Sequence, residues 1–296
     1  MLSILIPTYN YNVSALVNAL HSQLEGISTP IEIIVLDDGS SSFIKEHEAL
    51  NALRSTRFII SENNEGRTAT RNKLAKLASY NWLLFLDADV LPLRQSFLKA
   101  YIASAENTTA AVIFGGISYE AEKPSKAQLF RWHYGRHREA KPVSEREKAP
   151  YFIISQNLCI QKETFLKANN IQGNYYGLDN YFSNQLERMQ VEVKHIDNPV
   201  IHLGLETTKT FITKALKAVE TTVILEEKGV MDVDARPLQK SYLKLKKFGL
   251  AGIFTTVMTP FKGMMERNFE SSKPNLFWFD IYRLAYYTDL KRKKNA

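Results

Sequence analysis

The sequence predicts an α/β protein built on a mostly parallel sheet, and three observations carry that reading. Four short runs, "LSILI", "IEIIVLDD", "RFIIS" and "WLLFLDAD", are rich in Ile, Leu and Val, as strands buried on both faces must be. Amphipathic stretches with helical spacing lie between them. Two of the runs end in crowded carboxylates, Asp37 with Asp38 and Asp87 with Asp89. Ligands of such sheets bind at the carboxyl ends of the strands.

Leu2 to Ile6 opens the chain as a strand, without the basic n-region or cleavage site of a signal peptide. Val13, Leu16, Val17, Leu20 and Leu24 then recur at helical spacing. The second strand ends at Asp37, Phe43 to Leu53 reads as a helix, and "RFIIS" is the third strand. "TATRNKLAKLAS" is helical and leads to the fourth strand. Residues 120 to 150 form a charged insertion with scattered aromatics, either a solvated segment or a binding loop. "FIISQNLCIQKETF" resumes strand and helix. Gly177 precedes a helix carrying Leu178, Phe182, Leu186 and Met189, and "VEVKHIDNPVIHLG" reads as a strand pair or a bent strand.

Composition narrows the class. The 296 residues suffice for a sizeable core. A single cysteine, Cys159, excludes an internal disulfide and points to a reducing compartment. No apolar run reaches the eighteen or so residues of a membrane span. Neither G-x-G-x-x-G nor G-x-x-x-x-G-K-[ST] occurs, so the common dinucleotide and P-loop sites are not supported. The formal charge of +7 is concentrated late in the chain, which suits anionic lipid or phosphate. Nucleic acid is not expected as a partner.

Asp87 and Asp89 have two readings. Either caps the turn that follows a strand. Alternatively, a bound cation removes the repulsion and desolvation cost of two adjacent carboxylates. Oxygen ligands suit Mg²⁺ or Mn²⁺, which bind one or two carboxylates plus substrate phosphates.

"SILIPTYN", "IEIIVLDDGSS", "NEGRTATRN" and "LLFLDADV" occur in that order, and together they resemble family 2 glycosyltransferases of the GT-A fold. The likeness spans residues 1 to 120 and continues less tightly to about residue 205. It implies a GT-A domain over 1–205, with a nucleotide-sugar half (1–120) and an acceptor half (120–205), followed by a helical extension over 206–296. It also implies an inverting transfer from a nucleotide sugar, UDP-linked in the first instance, to a glycan or lipid-linked hydroxyl. That work belongs to cell-surface polysaccharide or glycoconjugate synthesis, in the cytoplasm or on the inner face of the membrane.

Carried onto this sequence, the resemblance has Pro7, Thr8 and Tyr9 line the nucleotide pocket. Asp37 accepts the uracil N3–H if the donor is a uridine nucleotide; Asp38 contacts the base or holds the turn. Arg71 reaches base or phosphates unless it is a solvated helix arginine, and Arg67 is a second candidate for the diphosphate. Within Asp87-Ala88-Asp89, the first carboxylate meets the ribose or the metal's water shell and the last binds Mn²⁺ or Mg²⁺. His202 is a further metal ligand, with His195 the lesser candidate. Trp132 and Tyr134 either cover the acceptor or simply pack. The family carries an acidic pair, usually Glu-Asp, whose second member is the base; here the pair reads Asp179-Asn180. An amide does not take up a proton usefully, so the base is Asp179, lies elsewhere, or is lost. A nucleotidyltransferase and a non-catalytic nucleotide-sugar-binding protein are the alternative readings. In the extension, Phe248 to Met258 is a short apolar stretch near Lys244, Lys246, Lys247 and Lys262. It either lies at an anionic membrane surface or caps the domain.

Overall fold

The computed structural model describes residues 1–171, 173 and 175–295. They form two compact units. The first comprises residues 1–120, 138–174 and 186–204, and the second residues 121–137, 175–185 and 205–296.

The first unit is built on ten strands: β1 Leu2–Thr8, β2 Ile31–Asp37, β3 Thr56–Ile60, β4 Trp82–Leu86, β5 Val90–Pro92, β6 Val112–Phe114, β7 Ile117–Ser118, β8 Asn157–Gln161, β9 Val193–His195 and β10 Val200–His202. Seven form one sheet in the order β3-β2-β1-β4-β8-β6-β9. The first four are mutually parallel, β8 runs antiparallel to β4 and β6, and β9 is parallel to β6. This is the mostly parallel α/β sheet that the apolar runs predict. Register aligns Thr8 with Asp37, so the loops after β1 and β2 emerge at one edge. The Asp38 N–H donates to the Thr8 carbonyl just beyond them.

Ile4, Ile6, Ile33, Val35, Leu84 and Leu86 lie on one face of the sheet, over Leu16, Val17 and Leu20 of the helix Ser14–His21. Each such side chain contributes about 1.5–3 kcal/mol by leaving water. Burial also raises the Cys159 thiol far above its usual range, which leaves it inert.

The segment read as a strand pair or a bent strand supplies two strands that enter different sheets. β9 joins the large sheet beside β6, whereas β10 joins a separate three-stranded sheet, β5-β10-β7. Its antiparallel pairing with β5 sets His202 opposite Val90, next to Asp89.

The insertion is largely exposed but anchored at buried Phe130, Arg131, Trp132 and Arg146. Arg146 is buried and donates to the carbonyls of Phe114, Lys141 and Ile196 and to His195 Nδ1, 3.2 Å away. Arginine only donates, so Nδ1 accepts, and Nε2–H donates to the Pro150 carbonyl at 2.9 Å. The neutral tautomer is therefore built in. Both ring nitrogens are occupied, which removes His195 from the metal candidates.

The second unit is helical: Leu129–Tyr134, the start of Leu178–Arg188, then Thr208–Glu227, Pro237–Lys247, Ala251–Met258, Lys262–Phe269 and Leu276–Asn295. One core gathers Phe130, Met265, Phe269, Phe279 and Tyr282; a second gathers Val219, Val223, Tyr242, Leu284 and Tyr287. Among the described residues no helix is long and apolar enough to cross a membrane.

Burial, reinforced by Arg146 and opposed by the Pro150 bond and Glu147, pulls the His195 pKa below its ordinary value. Burial does the same to His47 against the opposing charge of Asp37. The unfolded chain therefore binds more protons below about pH 6.5. Stability should be fully present above that pH and fall as the solution is acidified toward about pH 5. Thermal midpoints across this range measure it, and His195→Gln, which keeps one donor and one acceptor, should shrink the fall. A midpoint that stays flat from pH 7.5 to 5 contradicts the assignment.

Candidate functional site

The site is built at the carboxyl edge of β1, β2 and β4. After β1, the Thr8 hydroxyl donates to the Tyr11 carbonyl. Asn10 takes a positive φ of 49°, and its side-chain oxygen accepts from the backbone N–H of Ser41 and the hydroxyls of Ser41 and Ser42. The loops after β1 and β2 are thus tied together. Pro7 is half-buried, Thr8 buried and Tyr9 exposed.

Asp38 is spent within this scaffold, whereas Asp37 keeps one oxygen, Oδ2, without a hydrogen-bond partner. The Asp37 carboxylate is fully buried; Oδ1 accepts from the Ser40 N–H at 2.6 Å and Oδ2 lies 3.8 Å from His47 Nδ1. The opposite His47 nitrogen accepts from the Val13 N–H. Asp38 accepts from the backbone N–H groups of Glu65 and Gly66 at 3.0 and 2.8 Å. It therefore holds the turn that starts the helix Arg67–Leu77.

That helix aims two arginines at Asp87. Arg71 Nη2 lies 2.6 Å from Oδ1, and Arg67 Nη2 lies 2.8 Å from Oδ2. Arg71 is buried, not a solvated helix arginine, and also reaches the Ser155 carbonyl. Arg67 keeps a side chain 53% exposed. Asp87 is thereby neutralised by protein, with only 4% of its side chain exposed.

Asp89 is different. Beyond the half-buried Ala88, its side chain remains 26% exposed. Oδ2 stands 3.2 Å from His202 Nε2. Burial raises its pKa, but the His202 contact and the charge of Arg67 outweigh that and hold the carboxyl below the usual range. The Tyr11 hydroxyl is raised in turn, by burial first and then by the Asp89 charge, so Tyr11 borders the same space.

Three residues that the sequence reading passed over complete the arrangement. Tyr119 donates its hydroxyl proton to Glu139 and stands 3.2 Å from His202 Nδ1. The roles of the two ring nitrogens depend on the tautomer: with Nδ1–H on the Tyr119 oxygen the Nε2 lone pair faces Asp89 and can take a cation, and with Nε2–H the ring donates to the carboxylate. The third residue is Gly204. A Cβ there would lie 1.9 Å from Asp89 Oδ2, so the carboxylate occupies the space that any other side chain would fill.

One carboxylate oxygen and one imidazole nitrogen could supply two ligands to an ion such as Mn²⁺, which accepts both. Two ligands at ~2.1 Å from one ion and about a right angle apart stand about 3 Å from each other, close to the observed separation. Among the described residues no group of three or more His, Cys, Asp or Glu side chains is disposed to hold a metal. Further ligands would come from substrate oxygens and water.

The helical unit holds the other expected residues. Asp179 and Asn180 open the helix Leu178–Arg188. Gly177, with φ +84°, packs so closely that a Cβ would lie 2.5 Å from that of Ala218. Trp132 is buried beneath the Arg136 guanidinium. Tyr134 packs on Phe211 and Phe279.

The comparisons identify the family and the fold. The model of the family described as glycosyl transferase family 2 matches residues 3–166, more than half of the chain. The chain belongs to glycosyl transferase family 2. An uncharacterized glycosyltransferase of Haemophilus influenzae is 26% identical over 190 residues, covering 61% of this chain and 60% of the relative. Glycosyltransferase AglE of Haloferax volcanii is 29% identical over 121 residues, 40% of this chain and 39% of its own length. The chain thus spans under two thirds of both relatives. Among solved structures, mannosyltransferase PcManGT from Pyrobaculum calidifontis, in complex with GDP-Man and Mn²⁺, superimposes with a TM-score of 0.58 at 15% identity, over 99% of this chain and 86% of that one. The fold of this family 2 chain is accordingly GT-A.

The two carboxylates of its D-x-D should differ in what they do for stability. Asp87→Ala strands buried Arg71 and should cost on the order of 3 kcal/mol. Asp89→Ala should stay within about 1 kcal/mol, because its carboxylate is partly hydrated. Urea unfolding of the two variants decides; equal losses would refute the division of roles.

Proposed function

We propose that the protein transfers a sugar, with inversion, from a nucleoside diphosphate sugar to a hydroxyl of a glycan or lipid-linked acceptor. The single observation that carries this reading is the Asp89–His202 pair, a carboxylate and an imidazole 3.2 Å apart beside the strand ends of a family 2 sheet. Donor phosphates are anionic, and such a pair suits an ion that brings them in.

In this reading the loops carrying Pro7, Thr8, Tyr9, Asp37 and Asp38 hold the nucleoside. Asp87 fixes Arg67 and Arg71. Arg67, the more exposed of the two, faces the diphosphate. Asp89 and His202 hold Mn²⁺ or Mg²⁺, and Tyr119 orients His202. When bound, the metal offsets the charge of the departing nucleoside diphosphate. Asp179 takes the proton from the acceptor hydroxyl, which attacks the anomeric carbon from the face opposite the leaving group. The helix dipole favours an ionised carboxylate at that position. A uridine nucleotide is the first donor to test. A guanosine nucleotide is the second, since PcManGT was solved with GDP-Man.

Asp89→Ala should abolish Mn²⁺-dependent stabilisation by the nucleotide while the free protein melts as before. Thermal shift with UDP, GDP and CDP, with and without Mn²⁺, measures this, because a ligand of the native state raises the midpoint with concentration. Equal shifts in the variant and the parent would remove Asp89 from the metal site.

Asp179→Asn should lower turnover by about two to four powers of ten, the usual worth of a positioned base, and leave nucleotide affinity unchanged. Asn180→Asp should be neutral or harmful, because adjacent carboxylates raise one another's pKa. The opposite outcome, a silent Asp179→Asn with a gain from Asn180→Asp, would favour the alternative of a nucleotide-sugar-binding protein that has lost its base.

A further inference from the structure

The helical unit exposes an apolar stripe that its own core does not use. From Ala251 to Phe269 the chain is helical almost throughout: Ala251–Met258, a 3₁₀ turn Thr259–Phe261, then Lys262–Phe269. Its inner face is consumed, with Met265 and Phe269 buried and Phe254 and Met258 packed on the two helical cores. A surface helix then normally turns polar residues outward. Here the outward positions include Ile253, Val257, Phe261 and Met264, which are 62, 47, 43 and 39% exposed. Their spacing of 4, 4 and 3 residues places them in one row. Phe248 and Leu250, 71 and 44% exposed, extend it toward the preceding helix.

Charge is segregated around this row. No Asp or Glu occurs between Asp234 and Glu266, whereas Arg236, Lys240, Lys244, Lys246, Lys247 and Lys262 do. Lys244, Lys246, Lys247 and Lys262 are exposed. The Arg292 guanidinium lies against Gly252, 3.6 Å from where a Cβ would stand. Residues 205–296 contain 17 Lys and Arg against 10 Asp and Glu, a balance of +7 that equals the formal charge of the whole chain. Residues 1–204, with 21 of each, are neutral.

We propose that the stripe Ile253, Val257, Phe261 and Met264, with Phe248 and the lysines at 244, 246, 247 and 262, docks on an anionic lipid surface. The helices lie in the plane of the interface, since none in the described residues can span a bilayer. Apolar side chains enter the headgroup–acyl boundary, and the lysines meet lipid phosphates. Charge selects this occupant over a second copy of the chain, which would bring the same excess of positive charge to the contact. The inference rests on the helical unit alone and is independent of the transferase reading.

The full-length chain is tested by flotation with vesicles of phosphatidylcholine, alone or mixed with phosphatidylglycerol. Binding is expected only to the anionic vesicles and should weaken as salt shortens the Debye length. Replacing Lys244, Lys246 and Lys247 by Ser should cut the partition coefficient about a hundredfold, since each lysine near such a surface is worth roughly fivefold. Ile253→Glu with Phe261→Glu should remove binding and leave the thermal midpoint unchanged, because both side chains are exposed. Equal binding to neutral vesicles, or parental binding by both variants, overturns the proposal. So does absence of vesicle binding together with a dimer, in sedimentation velocity, that the stripe variant dissolves; that result would make a second copy the occupant.

Discussion

The ion pair between Asp87 and its two arginines is the interaction on which the rest of the site depends. A buried carboxylate without a partner is costly, and Asp87 closes a strand with almost no access to water. Arg71 supplies the buried partner and Arg67 the outer one. Both come from one helix, whose first turn is held by Asp38 at the end of β2. Two strand ends are thus linked through a helix by charge-assisted bonds. With Asp87 satisfied internally, the second D-x-D carboxylate keeps access to solvent and to His202. The resemblance already gave the two aspartates different roles; their partners make the difference physical.

The sheet was legible because its strands are continuous apolar runs and its helices keep a 3.6-residue period. Leu2–Thr8, Ile31–Asp37, Thr56–Ile60 and Trp82–Leu86 all lie where that pattern puts them. Beyond Pro92 the pattern thins. β5, β6, β7, β9 and β10 are three residues or fewer, too short to show a period, so the assignment of β9 and β10 to different sheets left no local trace. The anchoring of the insertion left no trace for another reason. Arg146 is an ordinary charged residue in sequence, and only the fold supplies the three carbonyls and the imidazole that let it be buried.

The same limit applies within the site. Asp89 and His202 could be named because D-x-D and a downstream histidine form a recognisable order. Tyr119, Glu139 and Gly204 could not. Their roles exist only after β10 pairs with β5 and β7, which brings residues 89, 119 and 202 together. A glycine after "VIHL" resembles any loop glycine, yet here the absent Cβ is the space an Asp89 oxygen fills. Asp38 holds the turn through Glu65 and Gly66, the second of the two roles open to it in sequence, while Asp37 gives Oδ1 to Ser40 and leaves Oδ2 without a hydrogen-bond partner.

Charge distribution separates two kinds of recognition in one chain. A nucleoside diphosphate is anionic, but residues 1–204 carry no net charge, so no general field draws the donor to the sheet. In the proposed reading attraction there is local and short-ranged, supplied by Arg67 and by the cation that Asp89 and His202 would share. Such interactions work at contact distance and fix orientation. Residues 205–296 hold the entire excess of +7, part of it on exposed Lys244, Lys246 and Lys247. A diffuse excess of that kind is suited to an extended anionic surface. It acts over about a Debye length, ~8 Å at physiological salt, and selects for sign rather than shape. Placing the second kind of charge on the sheet would hold any anion at the donor edge; placing the first kind on the helices would give a contact too small to retain a 296-residue chain on a surface.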